Sequence, residues 1–213
     1  VKDNNLNNLN KIIQEFEDAK EYGSILKLET IDKEILEKEF NLLKESFNNN
    51  EQETLIFNED EMIIDINKEL ELIESLIKQH ITLTNQYEAV VTNPPYMGGK
   101  GFNTKLKAYT EKNYKNSKSD LFAIFIERCN DFTKKDCYTS MITMQSWMFL
   151  SSFETLRKNI LKNNEIESLV HLSFYVIGIT FSTTAFCLKK GIRNSQNNYF
   201  KLFDKVTRIM SAE

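Results

Sequence analysis

The stretch Asn93-Pro94-Pro95-Tyr96 holds both prolines of a 213-residue chain, placed directly after the apolar run Val90-Val91-Thr92. Three of the six glycines, Gly98, Gly99 and Gly101, follow at once. Consecutive prolines fix φ near roughly −65° and remove two backbone donors. Each also biases the residue before it towards an extended conformation. The segment is therefore stiff, and it aims two acceptors, the Asn93 side chain and the Pro94 carbonyl, at one point without a competing N–H. Tyr96 adds an aromatic plane. Two acceptors beside a stacking surface suit a flat ring that carries an exocyclic NH₂.

The exocyclic amine of adenine is a poor nucleophile, because its lone pair is delocalised into the ring. Acceptors on both of its hydrogens favour a more pyramidal nitrogen whose lone pair faces an electrophile. That is catalysis by positioning and preorganised electrostatics, with no strong base required in advance. A base in a duplex must first leave the stack, and an aromatic partner returns roughly 1–3 kcal/mol of stacking per base.

The elements that must hold this motif differ between the two parts of the chain. Residues 1–86 read as a mainly helical insert or scaffold. Leu9, Ile12, Ile13 and Phe16 recur at helical spacing, as do Ile35, Leu36, Phe40, Leu42, Leu43 and Phe47 after Asp32, a plausible cap. Between these helices "SILKLE" reads as a short strand and "FNNNEQET" as a polar loop; an amphipathic helix then spans Met62 to Leu83. From residue 87 to 213 strands alternate with helices. "YEAVVT", "CYTSMIT", "IESLVHL", "FSTTAFCLKK" and "YFKLF" read as strands. "SDLFAIFIERCNDF", capped by Ser119 or Asp120, and "SSFETLRKNILKN", capped by Ser151 or Ser152, read as helices. This pattern predicts an α/β sheet with crossover connections, in which ligands bind at the carboxyl ends of the strands. Asn93 falls at such an end. Gln145, Ser146 and Trp147 follow a strand as well; Trp147 and His171 read as structural.

Composition narrows the function classes. Cys129, Cys137 and Cys187 are odd in number and widely spaced, which fits reduced thiols in a cytoplasmic protein. With only His80 and His171, no metal site or Ser-His-Asp triad is expected. No apolar run is long enough to span a membrane. Charge is split: residues 1–88 carry 9 Lys or Arg against 21 Asp or Glu, a net −12, and residues 89–213 carry 18 against 10, a net +8. Lys100, Lys105, Lys107, Lys112, Lys115 and Lys118 cluster after the motif, opposed only by Glu111, with Tyr109 and Tyr114 among them. Lysines interleaved with aromatics fit a surface that tracks a nucleic-acid backbone. "GGKGFNT" lacks P-loop spacing; its glycines suit a loop that moves over a base or approaches phosphates closely, or a plain linker.

Asn93-Pro94-Pro95-Tyr96 after an apolar strand resembles the amine-binding motif of class I S-adenosylmethionine-dependent methyltransferases acting on amino groups. The run "VVTNPPYMGGKGFN", with "NYKNSKSDLFAIFIERC", "MITMQSWMFLSSFETLR" and "GITFSTTAFCL", is similar to the adenine-specific DNA methyltransferases of BREX-type phage-exclusion systems. The resemblance is densest over residues 86–190. It implies a Rossmann-like class I methyltransferase sheet, S-adenosylmethionine as cofactor, and double-stranded DNA with a flipped adenine as partner, with other phage-exclusion proteins as further partners. In its terms Asn93, Pro94, Pro95 and Tyr96 are catalytic, Tyr96 stacks on the base, Phe181 supplies a second aromatic face, and Asp120 lies near the cofactor. The resemblance leaves open another amine, on a protein glutamine or an RNA base. A non-catalytic DNA-binding or assembly module is the rival of a different class.

One family feature is missing. The cofactor motif is a glycine-rich turn, yet residues 1–97 contain only Gly23 and no GxG, and close backbone approach to a cofactor generally requires glycine. The expectation is an incomplete sheet, the C-terminal half of a catalytic core, inactive by itself. Replacing Lys105, Lys107 and Lys112 together with Glu is expected to weaken DNA binding and flatten its dependence on salt, by about one logarithmic unit per lost phosphate contact. Titration with duplex DNA over a range of salt checks this, and an unchanged slope would remove the three lysines from the interface.

Overall fold

The computed structural model describes residues 6–48, 66–174, 178, 180–192 and 197–202. The chain divides into two compact units, Val1–Asn85 and Gln86–Glu213. No helix among the described residues is long and apolar enough to cross a membrane.

The first unit is built from α1 (Asn7–Glu15), the single turn α2 (Ala19–Tyr22), α3 (Lys33–Asn48) and α4 (Ile66–Thr84). Leu9 and Ile12 of α1 and Phe16 just beyond it meet Leu36, Phe40 and Leu43 of α3 and Ile77 of α4 in one buried cluster. Only one stripe of each helix is used. Ile13, Ile35 and Leu42, equally apolar in sequence, fall outside it and are exposed, because at 3.6 residues per turn they project from another side. Asp32 caps α3, its side chain accepting from the Glu34 N–H at 2.8 Å. The stretch read as the strand "SILKLE" is instead a 3-10 turn, Gly23–Ile25, followed by irregular chain. Among the described residues of this unit no strand offers it a ladder, and a lone strand leaves its backbone groups unpaired. The helix expected from Met62 begins at Ile66, with 62–65 outside the described residues. Of the expected polar loop, Phe47 and Asn48 belong to α3, and the remainder lies outside the described residues.

α1 has no side-chain cap of its own; its N-cap position is Leu6. Glu39 of α3 takes that task. Its carboxylate accepts from the backbone N–H of Asn8 at 3.0 Å and of Leu9 at 2.9 Å, and from the Asn8 side-chain amide at 2.6 Å. Two of the orphan donors at the start of a helix are thus satisfied from thirty residues away. Glu39 itself is buried.

The second unit is a mixed α/β fold. Its elements are β1 (Tyr87–Thr92), α5 (Thr104–Asn113), α6 (Leu121–Phe132), β2 (Thr133–Met144), α7 (Glu154–Asn163), β3 (Asn164–Leu172), β4 (Thr183–Lys190) and β5 (Asn198–Leu202). They form a five-stranded sheet in the order β1-β2-β4-β3-β5. β1 and β2 are parallel, as are β3 and β5, while β4 runs antiparallel between β2 and β3. The crossover expectation therefore holds for β1 to β2 and, through α7, for β2 to β3; β4 departs from it. Phe122, Ala123, Ile126 and Cys129 of α6 and Leu156 and Ile160 of α7 share a core with Met141, Phe186 and Leu188 of the sheet. α7 follows a 3-10 turn, Ser151–Phe153, and its N-cap position is Phe153, without a side-chain cap. The expected Ser151 or Ser152 cap is absent there because both serines are taken up in the preceding turn.

Among the described strands β1 pairs with β2 alone. On it Val91, a residue type that strands normally bury, is 77% exposed. The three cysteines are free, and burial pushes the Cys129 thiol up to about 12. Replacement of Glu39 by Ala leaves one buried and one half-buried N–H group without this acceptor and is expected to cost about 1–3 kcal/mol. Hydrogen exchange checks this: the α1 amides should lose protection by about tenfold or more, while Glu39→Gln, which keeps one acceptor, retains most of it. Unchanged α1 protection in Glu39→Ala would contradict the capping role.

Candidate functional site

β1 carries Asn93 to the carboxyl edge of the sheet. Its last registered pair with β2 is Thr92 with Met141, so the ladder stops where the prolines begin, as residues without an N–H require. Pro94 is buried, whereas Asn93 and Pro95 are exposed. The chain then turns back over the sheet end and places Tyr96 against the core of the second unit. The Tyr96 hydroxyl lies 2.9 Å from Asn93 Oδ1 and 3.2 Å from the carbonyl oxygen of Ile142, on the neighbouring strand. Burial pushes the phenol pKa up, so the group is a neutral donor at physiological pH.

Two phenylalanines hold the Tyr96 ring. Phe122, in the first turn of α6, lies 6.4 Å away at 73°, and Phe181, just before β4, lies 5.5 Å away at 79°. Both are edge-to-face contacts of the kind aromatic pairs favour. Phe181 is thus in direct contact with Tyr96, perpendicular to it, rather than parallel across an open slot.

Of the glycines after Tyr96, Gly99 and Gly101 are the closely packed ones. None of Gly98, Gly99 and Gly101 has positive φ. Gly99 donates to the Ser119 carbonyl at 2.9 Å, and the Leu121 N–H donates to the Met97 carbonyl at 3.0 Å. A Cβ at Gly99 would lie 3.4 Å from the Lys118 carbonyl oxygen, and one at Gly101 3.1 Å from Met97 Cγ. The segment is pinned to the start of α6, which argues against the free linker. Asp120 is the N-cap of α6; its side chain accepts from the Phe122 N–H at 3.3 Å. Burial pushes its pKa up, partly offset by the N–H groups of Phe122, Met97 and Leu121. Asp120 therefore ties the helix start to the segment that follows Tyr96.

The structure thus combines a double proline at a strand end, a tyrosine braced by two phenylalanines and a capped helix that fixes the following loop. A protein-family model described as Eco57I restriction-modification methylase matches residues 4–177. The chain belongs to the Eco57I methylase family. Two curated proteins are similar to it. Over 129 residues it is 40% identical to "Adenine-specific methyltransferase BrxX" of Escherichia coli O9:H4 (strain HS), and over 187 residues 37% identical to "Adenine-specific methyltransferase PglX" of Lacticaseibacillus casei (strain Zhang). The alignments cover 59% and 86% of this chain but 10% and 15% of those proteins. The chain thus spans a small part of the length of these relatives. Among solved structures, a putative class I S-adenosylmethionine-dependent methyltransferase from Listeria monocytogenes aligns with a TM-score of 0.45 at 16% identity, over 100% of this chain and 72% of that one. The Type ISP restriction-modification enzyme LlaGI, solved in complex with a DNA substrate mimic, aligns at 0.44 and 18%, over 63% and 16%.

In this Eco57I-family chain the six lysines are all exposed, but they do not form one stripe. Lys105 and Lys112 of α5 are seven residues apart and share a face, whereas Lys107 lies roughly on the opposite side of the helix. Leu106 and Thr110 face the interior between them. Lys100 sits in the 3-10 turn Gly99–Gly101, and Lys115 and Lys118 precede α6. Of the two interleaved tyrosines, Tyr114 is fully buried; it is a core residue, which overturns its reading as a stacking surface. Tyr109 packs on it, with ring centroids 6.4 Å apart. Trp147 is buried, its indole N–H donating to Thr143 Oγ1 at 3.1 Å. His171 hydrogen-bonds Gln145 Oε1.

Sequence reasoning missed two contributors to this candidate site. The Ile142 carbonyl leaves no trace in residue type. Phe122 was legible only as an apolar helix position. Replacing Asp120 by Ala is expected to cost about 1 kcal/mol and to lower Tm by about 2–4 °C, with Asp120→Asn close to the parent because it keeps an acceptor. Thermal unfolding of the three proteins checks this, and an unchanged Tm in Asp120→Ala would contradict the tie.

Proposed function

We propose that this chain is the target-amine half of a site-specific DNA methyltransferase that acts on N6 of adenine, in the modification of host DNA that accompanies phage defence. The observation that carries the reading is the exposed Asn93 carboxamide at the carboxyl end of β1, braced by a tyrosine whose ring is itself braced. Family membership and the similarity to two adenine-specific methyltransferases support it. In this reading the flipped base lies against Tyr96. Asn93 Oδ1 and the Pro94 carbonyl each accept one hydrogen of its amine, and the stiff Pro94-Pro95 segment keeps the two acceptors converged. The nitrogen lone pair then points away from both. Water is the sink for the proton lost once the new N–C bond has formed, because neither acceptor is basic enough to keep it.

S-adenosylmethionine would supply the electrophilic methyl group. The residues present fit the target amine better than they fit this cofactor, since residues 1–97 offer no glycine-rich turn. In this reading Asp120, the N-cap of α6, would border the cofactor. Phe181 is the candidate second face for the base, and it takes that place by moving off Tyr96. The partner is duplex DNA carrying the target adenine. The lysines after the motif meet its phosphates, Lys105 and Lys112 together and Lys107 from the other side of α5. Other components of a phage-exclusion system are the further partners of this reading.

Asn93→Ala in the full-length enzyme removes one of two acceptors that matter most in the transition state. It is expected to lower kcat by about 10²–10³-fold or more, with the Kd for DNA unchanged within about twofold. Steady-state methylation and DNA titration check this. Retained turnover would refute the role given to Asn93.

A further inference from the structure

The Tyr96 hydroxyl carries one proton and faces two acceptors, Asn93 Oδ1 at 2.9 Å and the Ile142 carbonyl at 3.2 Å. It can donate to only one of them at a time. The Ile142 carbonyl is available because the β1–β2 register ends one residue earlier, at Thr92 and Met141. The hydroxyl thus takes the place of the next ladder donor, which the prolines cannot supply.

The other partner, Asn93, is exposed. A carboxamide has two ends of similar shape and opposite function, an acceptor oxygen and a donor NH₂. An exposed asparagine with nothing to orient it presents either end. Turned the wrong way, Asn93 would offer N–H groups to a target amine that itself carries N–H groups, and the pair would repel. A hydroxyl that donates to Asn93 selects the orientation with Oδ1 on the acceptor side.

We propose that Tyr96 is a positioning residue for Asn93: its hydroxyl fixes the carboxamide with Oδ1 presented as acceptor, and the Ile142 carbonyl gives that hydroxyl a second seat when the target amine takes Oδ1. This rests on the adenine-methylation reading and adds to the stacking role of the ring a separate role for the oxygen. Rotation about the C–O bond moves the proton between the two acceptors, so the hydroxyl itself keeps an acceptor in either state. The cost of handing Oδ1 to the amine is thereby kept small, since leaving a polar group unsatisfied is the expensive outcome. The perpendicular contacts of Phe122 and Phe181 keep the ring, and with it the hydroxyl, at this point.

Tyr96→Phe keeps the ring and removes only the oxygen. In the full-length enzyme, on adenine-containing duplex DNA, the expected result is a fall in single-turnover rate of about three- to tenfold, as the competent fraction of Asn93 drops. DNA Kd stays at the parent value, and Tm falls by no more than about 2–4 °C, the cost of one lost hydrogen bond to the Ile142 carbonyl. The deciding measurement repeats the substitution in an Asn93→Asp background. A carboxylate has two equivalent oxygens and needs no orienting, so Tyr96→Phe should there change the rate by less than about twofold. Single-turnover conditions keep this ratio measurable when Asn93→Asp is slow. An unchanged rate in Tyr96→Phe alone overturns the proposal. An equal loss in both backgrounds also overturns it, because the oxygen would then act through the ring or the strand end rather than through the carboxamide. A parent enzyme that methylates no adenine in duplex DNA would instead sink the functional reading itself, a result distinct from either.

Discussion

The second unit's site depends on how β1 stops. Parallel pairing with β2 runs to Thr92 and Met141 and then ends, because Pro94 and Pro95 have no N–H to donate. A strand end of this kind leaves a carbonyl of the neighbouring strand without its partner, and the Tyr96 hydroxyl reaches back to take it. Stiffness, exposure of Asn93 and placement of Tyr96 all follow from that termination. α6 completes the arrangement. Its N-cap, Asp120, and the backbone bonds of Met97 and Gly99 to residues 119–121 fix where the chain goes after the tyrosine. The core beneath, with Phe122, Met141, Trp147 and Phe186, is conventional apolar packing that makes the strand end rigid.

Much of this was legible in the sequence, for identifiable reasons. Proline and glycine are so scarce in the chain that their concentration at 94–101 marks the site by itself. β1 reads cleanly because Val90, Val91 and Thr92 are β-branched and a double proline bounds them, and α6 reads cleanly because Asp120 precedes an apolar period. What escaped is non-local. The antiparallel placement of β4 between β2 and β3 is set by pairing across the sheet, which residue order does not reveal. Tyr114 looked like a surface aromatic among lysines, yet tertiary packing buries it completely. The lysine cluster looked like one patch, but α5, which the sequence reading did not resolve as a helix, splits it between two sides. The Ile142 carbonyl is a backbone atom and carries no signature at all.

The two units differ in their demands. In the helical unit one buried carboxylate, Glu39, holds a helix start that its own sequence leaves uncapped. In the α/β unit the charge is reversed, and the exposed lysines stand on the elements that follow the strand end. In the proposed function that polarity would separate a scaffold from a polyanion-facing surface. The exposed Val91 and the single pairing of β1 fit a sheet with room for another strand at that edge.

The central claim is that Asn93 and Pro94 present two acceptors to the N6 amine of adenine. It is tested most directly by incubating the full-length enzyme with duplex DNA and methyl-labelled S-adenosylmethionine, then digesting the DNA to nucleosides and identifying the labelled product by mass spectrometry. Label in N6-methyldeoxyadenosine is the predicted result. Label confined to cytosine, to RNA or to protein glutamine, with none in adenine, would contradict the account.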